Sequence, residues 1–208
     1  MDDPVVVLGG LLCVLTIVLV AAVAVIQRRH DRREARRWQH WADRHGWTLV
    51  ARPAVSWHRN VPGELRFAVP GVVQGRHVTV AECAVADADT NTTFFVAVVA
   101  ALRLPLPDTE VDPRGTMSRL LGTRDLTGRP DFDRAFRVRT ADPRWLPPAL
   151  IEAHLAGTVP PSWRIQGTDL IIVRRGRLLP DQVSTFAAEV LPLAAVLDPA
   201  DPPLSRDR

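Results

Sequence analysis

Cys83 is the one thiol outside the apolar N-terminal run that holds Cys13, and His77 stands six residues before it. A cysteine becomes a nucleophile when a neighbouring base or cation lowers its pKa. Along an extended strand, six residues separate the pair by ~20 Å, far beyond hydrogen-bond reach. The spacing therefore predicts a buried strand cysteine, unless another histidine approaches through the fold. His30, His40, His45, His58, His77 and Glu82 offer metal-ligand atoms, but no His-x-x-x-His pair occurs, and His40 and His45 are five apart, a poor alignment on a helix. Asp131-Phe132-Asp133 has the Asp-x-Asp form with which glycosyltransferases hold a metal-bound nucleotide. There the pair follows an apolar strand and here it precedes one, so it reads as a turn pair entering a strand, with Asp133 near Arg134 or Arg137. Nucleophile elbows and phosphate-binding glycine loops are absent from the sequence. No catalytic residue, metal or cofactor is expected, and the chain reads as a non-enzyme.

Arginine is the remaining chemistry-bearing residue. All 26 basic side chains are arginine, lysine and tyrosine do not occur, and the net charge is only +3. The high isoelectric point therefore reflects guanidinium chemistry and does not by itself point to nucleic acid. Arg134, Arg137, Arg139, Arg174, Arg175 and Arg177 form a candidate anion or partner surface if the late strands are neighbours. Asp131, Asp133, Asp142, Asp169 and Asp181 lie close in sequence and favour an ordinary salt-bridged face. Aromatic residues do not interleave with these arginines as in a stacking platform, so nucleic acid is not expected as a partner.

These side chains need elements to hold them. Val5 to Ile26 is a run of 22 residues without a charge. At ~1.5 Å per residue it spans ~33 Å, which predicts a transmembrane helix. Arg28, Arg29, Arg32, Arg33, Arg36 and Arg37 follow it, and with Trp38 they form a predicted membrane-interface set. The positive-inside rule then places the N-terminus outside and the C-terminal domain in the cytoplasm, at the inner (plasma) membrane. Residues 28–46 read as a basic helix ended by Gly46, with Trp38 and Trp41 either at the interface or docked on the following domain.

Residues 47–197 read as one α+β domain, a mostly antiparallel sheet with two or three helices. Strands are predicted at Trp47 to Ala51, at 76–83 after a Gln74-Gly75 turn, and at Phe94 to Leu102. The Val-Pro-Gly triplets at 61–63 and 69–71 read as turns around Glu64 to Ala68. Pro105 to Pro130 reads as a long connection with a short helix at Met117 to Leu121. A strand follows at Phe132 to Arg139, then a helix at Pro147 to Ala156. Trp163 to Ile165 is expected to pair with Leu170 to Val173 across Gly167-Thr168-Asp169, and a last helix ends near Leu197. Residues 198–208 read as a disordered tail.

The N-terminal apolar run, the Trp-x-x-x-x-Gly-Trp segment at 41–47, Phe132-Asp-Arg-Ala-Phe-Arg-Val and Trp163-x-Ile-x-Gly-x-x-Leu170 together resemble uncharacterised single-pass membrane-anchored proteins of high-GC actinobacteria. The resemblance implies an anchor (1–27) and a topology, and it carries over no functional residue. The expected function is a membrane protein whose cytosolic domain serves as a protein-interaction or scaffolding module, with the lipid bilayer and a protein as partners. The alternative is an enzyme acting on a lipid-linked or phosphorylated substrate at the membrane face.

Overall fold

The computed structural model describes residues 4–51, 53–86, 91–115, 126–142 and 145–199, and within the first helix the side chains of 4–17, 24, 26–28 and 30–32 lie outside that description. The chain divides into two units, Met1–His45 and Gly46–Arg208.

The first unit is one helix, α1 (Pro4–His45). Gly46 ends it at φ 72°, the left-handed conformation that glycine adopts at little cost after a last helical turn. Near this end the ring of Trp41 meets Trp38 edge-on at 6.1 Å and stacks on His45 at 4.7 Å. His45 Nδ1 lies 2.8 Å from the Trp41 carbonyl oxygen, a contact suited to the electronegative end of a helix.

The membrane-spanning reading of Val5 to Ile26 is corrected here. Among the described residues, no helix is long and apolar enough to cross a membrane. The side chains of 5–17 lie outside the description, and from Val18 onward every stretch of membrane-spanning length takes in Arg28, Arg29, Asp31, Arg32, Arg33 and Glu34. With that span go the single-pass topology, the bilayer as partner and the assigned inner-membrane location. Arg29, Arg33, Arg36 and Arg37 are exposed positions of a charged helix, and the side chains of Arg28 and Arg32 lie outside the description. They no longer mark a membrane interface, and neither does Trp38.

The second unit is α+β. Strands β1 (Val50–Ala51), β2 (Glu64–Val73), β3 (Arg76–Ala86), β4 (Thr92–Pro113), β5 (Phe136–Thr140) and β6 (Trp163–Arg175) form one open sheet in which every pairing is antiparallel. Gln74 (φ 50°) and Gly75 (φ 77°) join β2 to β3. Positive φ at both central residues is the two-residue hairpin geometry whose twist matches that of the strands it connects. The sheet branches at β4. On one side β3 pairs with its first half, as far as Val78↔Ala100, and β5 with its last residues, Thr109↔Thr140 to Pro113↔Phe136. On the other side β6 follows it from Phe95↔Arg175 to Val111↔Trp163, with the register broken between Ala101 and Thr109.

Alternation sets the two faces of the first half of β4. Ala97 and Val99 join Trp57, Val61, Ala68, Ala81, Cys83 and Ile171 in one buried cluster, under a short 3-10 turn at Ser56–Asn60. Val96, Val98 and Ala100 point the other way. That side is covered by α4 (Val183–Leu197), which buries Val183, Ala187, Val190 and Ala194 and packs on β3 and β4. Two shorter helices, α2 (Pro130–Ala135) and α3 (Pro148–Leu155), complete this layer, α3 packing against both α2 and α4.

Four element expectations change. The triplet at 69–71 is strand, because Pro70 pairs with Thr79 of β3 while its other side, where the N–H is missing, lies at the sheet edge just past the two-residue β1, its carbonyl there accepting the Thr48 amide at 3.1 Å. Gly71 leaves room for the Trp47 ring, which a Cβ would meet at 2.4 Å. Residues 105–113 continue β4 and are not a connection, since Pro105 and Pro107 fall where the ladder is already interrupted. Phe132 to Ala135 is helical. Pro130 in the first turn, with Asp131 and Asp133, is a helix-start signal that outweighs the short strand pattern. Trp163 and Leu170 belong to one strand, because β4 is long enough to pair with both segments. The expected helix at 117–121 lies outside the described residues.

Candidate functional site

In its second half β4 carries Asp108, Glu110 and Asp112 on one face and buries Thr109 and Val111 on the other. Register places Glu110 between Arg139 of β5 and Arg164 of β6, and Asp112 beside Arg137. Arg139 Nη1 donates to Glu110 Oε2 at 2.9 Å and Arg164 Nη2 to Oε1 at 2.8 Å, a guanidinium–carboxylate–guanidinium row across three strands. Partial burial raises the Glu110 pKa, but the two arginines outweigh it and hold the carboxyl below its ordinary range.

The other two acids are satisfied by neutral donors. Ser162 Oγ donates to Asp112 Oδ1 at 2.6 Å, and the Gly167 amide donates to Asp108 Oδ1 at 3.1 Å. Arg164 Nη1 reaches on to the Asn60 carbonyl at 2.9 Å, and the Asn60 side-chain amide donates to Gln166, so the end of the 3-10 turn closes one side. Between these groups lies a cavity of about 210 Å³ with Trp163, Ile171 and Val173 on its wall and Asp112, Ser162 and Arg164 at its polar side. A second hollow of about 370 Å³ shares Asn60, Glu110 and Arg164 and extends to Arg139 and Gln166. Apolar walls with a few convergent polar groups are the usual make-up of a binding site.

The six arginines grouped from sequence are not one surface. Arg137 and Arg139 stand on the groove face of β5, and Arg134 is exposed on α2. Arg174 and Arg175 pair with Val96 and Phe95, at the opposite end of β4 from Asp112. Arg174 lies 3.0 Å from Glu189 of α4, and Arg177 lies over the Phe94 ring at 4.5 Å. Sequence reasoning missed Asn60, Glu110, Asp112, Ser162 and Arg164. A signal was present, because Asp108, Glu110 and Asp112 alternate with Thr109 and Val111 at the period of a strand, inside a stretch dominated by proline.

The residues best suited to acid, base or nucleophilic work lie elsewhere. Cys83 is fully buried, and burial, then Glu82, push its thiol up to about 11. Glu82 Oε1 accepts from Arg66 at 2.6 Å and Oε2 from the Leu178 amide at 2.8 Å, which ties the loop after β6 to β3. Asp133 is buried and accepts the Leu126 and Thr127 amides, while Asp131 accepts the Phe132 amide; the Asp-x-Asp pair thus fixes a turn and a helix start. His154, which sequence reasoning passed over, is buried on α3 beside Phe132 and Phe136. Trp163 Nε1 donates to its Nε2 at 2.6 Å, so the ring is neutral with its proton on Nδ1, which has no partner among the described residues. Burial lowers its pKa to about 4. Among the described residues no group of three His, Cys, Asp or Glu could hold a metal ion.

No family model, curated protein or solved structure matches this chain. With no family shown and no membrane-crossing helix among the described residues, the resemblance to membrane-anchored actinobacterial proteins is withdrawn.

Proposed function

We propose that this chain is a recognition module and not a catalyst, and that the groove along the second half of β4 takes an anionic segment of a partner. The carrying observation is an imbalance in hydrogen bonding. Asp108 and Asp112 accept their hydrogen bonds from neutral groups, Asp112 acting on Arg139 only through space, whereas Arg139 and Arg164 share one carboxylate and Arg137 has no ion pair among the described residues. The groove therefore displays unspent guanidinium N–H groups, and each guanidinium can hold a carboxylate through two parallel bonds. Arg137 and Arg139, two apart on one strand face, are spaced for acidic residues two apart on an extended peptide.

The test is titration of the full chain with a capped octapeptide of alternating valine and glutamate, followed by backbone amide NMR. Saturable shifts are expected at 108–112, 137–139 and 164–166, with affinity at least fivefold weaker in R137Q/R139Q. Shifts confined to other strands, or an unchanged affinity in that variant, would overturn the reading.

A further inference from the structure

β6 gives all of its described backbone pairing to β4, so its other edge presents free N–H and C=O groups over a strand of 13 residues. No loop hydrogen bond among the described residues reaches that edge. An open strand edge is a template for a further strand.

Charge decides between occupants. A second copy pairing along the whole of β6 would set Asp169 against Asp169 and Arg164 against Arg174, and like charges directly opposite each other destabilise a sheet. The strand itself carries Arg164, Arg174 and Arg175 against the single Asp169. Arg164 already forms part of the groove, and Arg175 is exposed without an ion pair among the described residues. Both ends of this edge thus favour negative charge, and one end opens directly into the groove.

We infer that an extended acidic segment of a partner protein adds to the free edge of β6 as a seventh strand, its amides pairing with β6 and its carboxylates meeting Arg164 and Arg175. It goes beyond the groove reading above: the added strand has β6 and β4 between it and Arg137 and Arg139, and it shares only Arg164 with the groove. Backbone pairing supplies affinity along the edge, and the alternating acidic side chains supply selection.

The test compares a capped fourteen-residue peptide of alternating valine and glutamate, long enough to reach from Arg164 to Arg175, with two isomers N-methylated at alternate residues, titrated against the full chain. Successive amides of an extended strand point to opposite edges, so at least one isomer is expected to lose tenfold or more in affinity. If both isomers bind as tightly as the parent, strand addition is overturned. The groove reading survives that result provided R137Q/R139Q still weakens binding. If the parent peptide does not bind, both readings fall. Sedimentation equilibrium adds a separate check. A monomer is expected, and a dimer abolished by a proline within β6 would give the edge to a second copy and overturn the inference.

Discussion

Residues 94–101 and 106–113 belong to the same strand and have opposite environments. The first half of β4 lies between β3 and β6, with the Trp57 cluster on one face and α4 on the other, and Val96 to Ala100 are buried without interruption. The second half lies between β5 and β6 and is buried on one face only, its other face holding the Arg139–Glu110–Arg164 row. Between them the ladder breaks at Pro105 and Pro107, where neither β3 nor β5 is alongside. A single strand can thus serve as core at one end and as a display surface at the other, provided the join tolerates lost hydrogen bonds. The first half holds the fold together. The second half can change its charges without risk to that core.

The sharpest way to break this contrast is to exchange side chains between the halves. Val98→Asp buries a carboxylate with no partner between β3, β6 and α4, and a loss of more than about 4 kcal/mol is expected, enough to unfold a marginal domain. Glu110→Leu, twelve residues along the same strand, should change the unfolding free energy from urea melts by less than about 1 kcal/mol, because partly exposed ion pairs contribute little. Comparable losses in the two variants would mean that the halves are not different in kind.

A pH series on the helix-covered side comes next in size. His154 is neutral in the folded chain with a pKa lowered to about 4, against an ordinary 6.5. The unfolded chain therefore binds the extra proton between those values. Its cost is absent above pH 6.5, grows as pH falls, and is complete near pH 4, at roughly 3 kcal/mol. Urea melts followed by tryptophan fluorescence should show that slope, and His154→Gln should flatten it. An unchanged slope in the variant would assign the acid sensitivity to other groups.

The smallest expected effect sharpens the comparison at the far edge of the sheet. Gly71→Ala puts a Cβ within 2.4 Å of the Trp47 ring, and the indole must move away from β2. A loss of about 1 to 2 kcal/mol in thermal melts is expected, of the size typical for overpacking. No loss would show that Trp47 is loosely held.

Much of the first half of β4 was legible in the sequence, because Phe94 to Leu102 is a continuous apolar run, which is how a strand buried on both faces reads. The Gln74-Gly75 turn was equally plain, since it depends on neighbours close in sequence. The second half was not legible. Its prolines signalled a loop, and only the long-range pairing of Thr109 with Thr140 and Ile165 makes it a strand. The groove shared that fate. Glu110 and Arg164 are 54 residues apart, and no local pattern joins them. His154 escaped notice because one histidine in an apolar helix carries no signal until Trp163 is placed against it.

The late arrival of β6 bears on how the chain is made. Phe95 pairs with Arg175, 80 residues further on. At roughly 5 to 20 residues per second of synthesis, the apolar edge of β4 leaves the ribosome about 4 to 16 s before the strand that covers it. The β2–β3 hairpin forms within about 10 μs and can shelter the other edge of β4 almost at once. For those seconds the nascent chain is a sheet of β1 to β4 with one bare side, which is the interval in which a chaperone has most to protect.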